Sequence, residues 1–204
     1  LVLFLDNGEK MRRLNVILLA LTLLISQVVF ANEAETQETS PVQAIQTTIV
    51  KLNQLTAAAT YSPQMMGFLI DQEVAPLFDF DYIADEVLLV VNANLSESEV
   101  KFFSNKLKKN IISTLLARLS QANTTSFRFI SARPLINGAI AVQLKVIGYS
   151  SYGIYIDLMF HQQNNGQWKI YDIVLNRDSL VKYYQKMVLT KVRRYGVYGM
   201  LGRI

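Results

Sequence analysis

The sequence predicts an α+β domain: helices first, then an antiparallel sheet of about four strands, then one closing helix. Three observations carry this. Apolar residues recur at steps of three and four as far as about residue 119, they alternate from residue 127 to residue 175, and helical spacing returns after residue 179.

The segment ahead of this domain has the layout of a secretory signal peptide over residues 11–31. Lys10, Arg12 and Arg13 supply the positive start, Val16 to Phe30 the apolar stretch, and Val29-Phe30-Ala31 the small-residue cleavage pattern. Thr22, Ser26 and Gln27 interrupt the apolar stretch, which is shorter than the roughly 20 residues a membrane-crossing helix needs. The competing expectation is an uncleaved anchor. Residues 1–10 read as an upstream mis-start before Met11, residues 32–40 as a polar flexible leader, and residues 41–204 as a single domain.

The chain has no cysteine, so it offers neither a thiol for lipid attachment nor a disulfide framework. A soluble protein held by one hydrophobic core is the expectation. Removing residues 1–31 takes away three basic and two acidic residues and brings the formal charge from +4 to +3. That charge is too mild to argue for nucleic acid, and it permits weak attraction to an anionic membrane surface.

Pro41 sits where a first helical turn accepts it, and Val42, Ile45, Ile49, Leu52 and Leu55 form one apolar face behind it. A second helix is expected from Pro63 to about Val74, with a break at Pro76. Leu77 to Val91 is strongly apolar. Ser96 with Glu99 three residues on fits a capping box, which opens a helix to about Leu119 with Val100, Phe103, Leu107, Ile111, Leu115 and Leu119 on its inner face. Lys101, Lys106, Lys108 and Lys109 fall mainly elsewhere, as a solvated basic face.

Four strands are expected at Phe127–Pro134, Ala139–Ile147, Ile154–His161 and Trp168–Leu175, linked by turns rich in Asn and Gly. Ile140, Val142, Leu144 and Val146 share one face with Ile154, Ile156, Leu158 and Phe160 of the next strand. The other face is mixed, with Gln143, Lys145, Tyr155 and Asp157, so helices cover one side. Asp178 is expected to cap a last helix from Ser179 to about Arg194, with Gly196, Gly199 and Gly202 marking a loose tail.

Candidate chemistry is sparse. Asp79 and Asp81 lack companion ligands at metal spacing, so capping and packing of Phe78, Phe80 and Tyr82 is the expected role. No catalytic residue, metal site or cofactor is expected. His161, the only histidine, stands at a strand end where solvent access is expected. Asp172 falls, by alternation, on the face of Trp168, Ile170 and Val174 and there needs a hydrogen-bonding or cationic partner. Periodicity alone leaves open whether the inward strand residues make a filled core or line an apolar pocket.

Two stretches go further: residues 73–89, EVAPLFDFDYIADEVLL, and residues 166–184, GQWKIYDIVLNRDSLVKYY. Together they resemble the two signature regions of the MlaC, or toluene-tolerance, family. The chain departs from that pattern at Leu89 to Asn92, where the family usually has a glycine and an aromatic pair. It departs again at Arg177-Asp178, where a glycine and a β-branched residue are usual.

The resemblance implies a curved antiparallel sheet packed on helices, holding the acyl chains of a phospholipid with the head group near the mouth. It further implies a monomeric periplasmic carrier working between an outer-membrane lipoprotein complex and an inner-membrane ABC-transporter complex, in transient contact with membranes. Such a carrier maintains outer-membrane lipid asymmetry. The expected pocket is Phe78, Phe103, Leu107, Ile111, Leu115, Val142, Leu144, Val146, Ile154, Ile156, Leu158 and Tyr183, while Lys191, Arg193 and Arg194 read first as a solvated face and, as the sharper alternative, as a docking surface for anionic head groups or an acidic partner. The alternatives are a small enzyme acting on an apolar substrate with Asp172 and a neighbouring tyrosine, Tyr171 or Tyr155, a carrier of another apolar lipid such as a hopanoid, and a ligand-free adaptor.

Overall fold

The computed structural model describes residues 40–58, 63–121, 126–148 and 151–204. The expected mis-start, signal peptide and all of the leader before Ser40 lie outside the described residues. Helix α1 (Pro41–Ala58) buries Ile45, Leu52 and Leu55 as the spacing predicts, whereas Val42 in its first turn is exposed. Asn53 ties this helix to the sheet. Its carboxamide accepts from the Phe127 N–H at 2.7 Å and donates to the Phe127 carbonyl at 3.0 Å, as a neighbouring strand would.

Helix α2 (Pro63–Leu69) widens into a π turn at Ile70–Val74 and tightens to a 3-10 turn at Ala75–Leu77. Pro76 is the cause, since it has no N–H to give and its ring crowds the carbonyl four residues back. The chain then starts again as α3 (Phe80–Leu88), capped by Asp79, whose carboxylate accepts from the Tyr82 N–H at 3.1 Å. Helix α4 (Glu97–Gln121) opens with the expected capping box. The Ser96 N–H donates to Glu99 at 2.7 Å, and the Glu99 N–H donates back to the Ser96 hydroxyl at 3.4 Å.

The sheet is an antiparallel meander, β1 (Ser126–Pro134), β2 (Ile140–Ile147), β3 (Ile154–Gln162), β4 (Trp168–Leu175) and β5 (Asp178–Ser179). The fifth strand is an addition to the expected four. Leu175 pairs with Asp178 across a two-residue turn, Asn176-Arg177, in which both residues have positive φ. Gly153, between β2 and β3, has φ +72°, and a Cβ there would meet the Val146 carbonyl at 2.8 Å, so the turn requires glycine.

A bulge changes the predicted face of β4. Asp172 pairs with Met159, but the next pair is Ile170 with Phe160, so Tyr171 is the extra residue. The phase shifts by one. Ile170, Ile173 and Leu175 lie opposite Phe160, Leu158 and Ile156, while Asp172 is phased with Met159. The expectation that Asp172 shares a face with Trp168 and Ile170 is therefore corrected, whereas Asp172 and Val174 do share one.

Helix α5 (Leu180–Leu201) is capped by Ser179 rather than by the expected Asp178 and runs beyond the expected end. Gly196, at φ 72° and ψ 173°, bends it, and Met200 and Leu201 are buried rather than part of a loose tail. Two cores result. Residues of α1, α2 and the π turn pack on the sheet, around Leu55, Met66, Leu144 and Phe160, while α3, α4 and α5 pack around Ile83, Phe103, Leu107 and Val188.

Two substitutions at the β4–α5 junction have opposite outcomes in urea unfolding at neutral pH. Arg177→Gly raises stability by about 1 kcal/mol, because the left-handed backbone no longer carries a Cβ. Asp172→Ala lowers it by about 2–4 kcal/mol, because buried donors lose a charged acceptor.

Candidate functional site

The two cores do not close completely on each other. Between them lies a cavity of about 520 Å³, walled by Ile111 and Leu115 of α4, Ile173 and Leu175 of β4, Leu180, Tyr183 and Tyr184 of α5, and Phe78. Asn110, Thr114, Asn176, Asp178 and Ser179 add the polar groups at its margins. Its size and its mostly carbon wall are those of a site for an apolar ligand. Phe78 packs against both cores. Ile111 and Tyr184 belong to the helical core, whereas Leu115 and Ile173 rest on the sheet core. Tyr183 is 61 % exposed and Leu175 38 % exposed, so these two stand at the rim.

One buried carboxylate sets the shape of this wall. Asp172 accepts from the Ser179 hydroxyl at 2.5 Å, the Val181 N–H at 3.1 Å and its neighbour Ile173 N–H at 2.9 Å. It thereby fixes the first turn of α5 to β4, with Ser179 also capping the helix by accepting from the Lys182 N–H at 3.1 Å. A hydrogen-bonding partner set is what the sequence asked for at Asp172. On the opposite wall, the Tyr184 hydroxyl donates to the Asn110 side chain at 2.8 Å, and burial together with Tyr183 pushes the Tyr184 phenol up to about 12.

Of the twelve residues expected to form a pocket, Phe78, Ile111, Leu115 and Tyr183 line this cavity. Phe103 and Leu107 are fully buried in the helical core, and Val142, Leu144, Val146 and Leu158 in the sheet core. Ile154 and Ile156 are half-buried against the sheet core. Ile173 and Leu175 were out of reach of the alternation pattern, because the Tyr171 bulge brings them inward. Leu180 and Tyr184 carry ordinary helical spacing with nothing to separate cavity from core. Lys191 is half-buried and Arg193 and Arg194 are exposed, roughly 12 to 17 Å along α5 from Tyr183. The Arg194 guanidinium stands 5.3 Å from the Tyr195 ring centroid, and that of Arg203 4.8 Å.

The polar candidates serve the fold. The second Asp79 oxygen accepts from Gln163 at 2.6 Å and lies 3.0 Å from His161 Nε2, and the Asp79 N–H donates to the Ile170 carbonyl at 2.9 Å. His161 is largely covered, contrary to the expected solvent access, because Tyr82 and Tyr171 pack against its ring. Among the described residues, no group of three or more His, Cys, Asp or Glu side chains is arranged to hold a metal, and no helix is long and apolar enough to cross a membrane.

Lys101, at 2.8 Å, and the Ser104 hydroxyl, at 2.6 Å, hold the Asp81 carboxyl below its usual range. Partial burial and the carboxylates of Asp81, Asp79 and Glu86 push Asp85 up.

A family model described as MlaC protein matches residues 42–204. No curated protein matches the sequence. Among solved structures, the chain is similar to a phospholipid-binding protein from Ralstonia solanacearum determined in complex with a phospholipid. The TM-score is 0.62 at 17 % identity, over 79 % of this chain and 90 % of that one.

Asp81 and Asp85 give opposite pH signatures in calorimetry. Asp81→Asn lowers the melting temperature at neutral pH, and the difference fades as pH falls through the depressed folded pKa. Asp85→Asn raises it at neutral pH, because the fold disfavours the charge. That gain shrinks below the raised folded pKa and is gone below about 3.9, where the unfolded carboxyl is protonated too.

Proposed function

The chain belongs to the MlaC family, and from that premise we propose that it is a periplasmic phospholipid carrier with no catalytic role, its acyl chains held in the cavity between the two cores. The observation that carries the reading is the cavity itself: an apolar space of about 520 Å³ at the seam of the domain, with exposed Tyr183 and Leu175 at its rim. Moving an acyl chain through water costs about 0.8 kcal/mol per exposed methylene, so transfer between membranes needs a protein that shields the chain. The similar structure from Ralstonia solanacearum, described as holding a phospholipid, supports the same ligand class.

The carrier works between an inner-membrane ABC-transporter complex and an outer-membrane lipoprotein complex, exported by the signal peptide of residues 11–31 and freed from the membrane by cleavage. Lys191, Arg193 and Arg194, set along α5 from the rim, are the surface that meets anionic head groups or an acidic partner. The enzyme reading loses its candidate. Asp172 is spent on Ser179 and the start of α5 rather than lining the cavity.

Native mass spectrometry of the purified protein, with lipid extraction, tests the assignment. Intact phospholipid co-purifies with the parent chain, and Ile173→Trp, which fills the cavity, lowers its occupancy by about tenfold or more. Equal occupancy in the two proteins overturns the cavity as the site, and a chemically altered lipid overturns the carrier. Charge reversal at Lys191, Arg193 and Arg194 slows transfer between vesicles without emptying the protein.

A further inference from the structure

The apolar cavity does not end at its polar margin. Asn110 and Thr114 line it, and the same two residues line a neighbouring groove of about 600 Å³ bordered by Lys106, Lys109, Ser113, Gly202 and Ile204. Helical geometry explains the shared wall. Leu107, Ile111 and Leu115 face the cores, Lys106, Lys109 and Ser113 lie on the outer side of α4, and Asn110 and Thr114 run along the border between them. One helix thus presents hydrocarbon to the cavity and cations to the groove.

The border is also polarised. The Tyr184 hydroxyl, kept protonated by its raised pKa, donates to the Asn110 oxygen, and this leaves the carboxamide N–H groups as the donor side of Asn110. Among the described residues, no acidic side chain is ion-paired with Lys106 or Lys109, and the Lys106 ammonium is 5.6 Å from the Phe102 ring centroid. The sheet side of the cavity carries the opposite sign, with Asp178 in its lining. An anion attached to a chain in the cavity is therefore favoured on the α4 side and disfavoured at Asp178.

We infer that the groove bordered by Lys106 and Lys109 is the phosphate subsite of the cavity, which takes the phosphate of a lipid whose acyl chain lies beyond Asn110 and Thr114. The inference rests on the carrier reading and adds to it which end of the cavity the head group occupies and which cations recognise it. Both lysines are exposed, so their replacement leaves the cores untouched.

The test compares two vesicle-borne lipids with the same acyl chains, phosphatidylglycerol and uncharged diacylglycerol, on the full chain and on a Lys106→Glu, Lys109→Glu variant. Phosphatidylglycerol binding falls about tenfold in the variant, with diacylglycerol binding unchanged. Asn110→Asp, which keeps the Tyr184 bond but turns the border acidic, moves binding in the same direction. Unchanged phosphatidylglycerol binding in both variants, or equal loss of the two lipids, overturns the inference. Inorganic phosphate that binds the parent chain without competing with phosphatidylglycerol marks an independent anion site and overturns it as well. If the parent chain binds neither lipid, the carrier reading itself fails and takes the subsite with it.

Discussion

The cavity lies beside a junction at which a buried carboxylate on β4 holds the start of a helix against the sheet. Asp172 accepts from Ser179, Val181 and Ile173, so the first turn of α5 is fixed to the strand whose next residues, Ile173 and Leu175, wall the cavity. Three donors to one carboxylate offset the desolvation of a charge that is only 8 % exposed, and the N-terminal end of α5 adds a favourable dipole. Remove that carboxylate, and the first turn of α5 loses its polar tie to β4.

Strand β4 is tied on its other flank as well. The Asp79 N–H donates to the Ile170 carbonyl, its side chain caps α3 and meets His161 and Gln163, and Phe78 beside it packs on both cores. The two sequence stretches that resemble the family's signature regions are thus the two sides of one junction. They place polar atoms where they tie elements together and leave hydrocarbon facing the space between. A seam between two cores is also a place where a guest can be admitted without unpacking either one.

The order of elements was legible because each has an uncontested period. α4 follows its capping box and its stripe from Phe103 to Leu115, and β2 and β3 follow strict alternation. The cavity was legible only in part. Ile111 and Leu115 stand where apolar periodicity placed them and Phe78 and Tyr183 come from the two stretches that carry the resemblance, but the same periodicity marks Phe103, Leu144 and Leu158, which are packed solid. Alternation failed at β4 for a physical reason, since a single extra residue, Tyr171, reverses every face beyond it. The turn at Asn176-Arg177 concealed a fifth strand, because arginine is a poor marker for a left-handed turn residue.

The central claim is that an acyl chain occupies the seam between the sheet core and the helical core. The most direct measurement is photocrosslinking with a phospholipid that carries a diazirine near the end of one acyl chain, followed by peptide mapping. The account predicts adducts at Ile111, Leu115 and Ile173. Adducts confined to the Asp79–His161 cleft or to the Gln143–Tyr155 face of the sheet would contradict it.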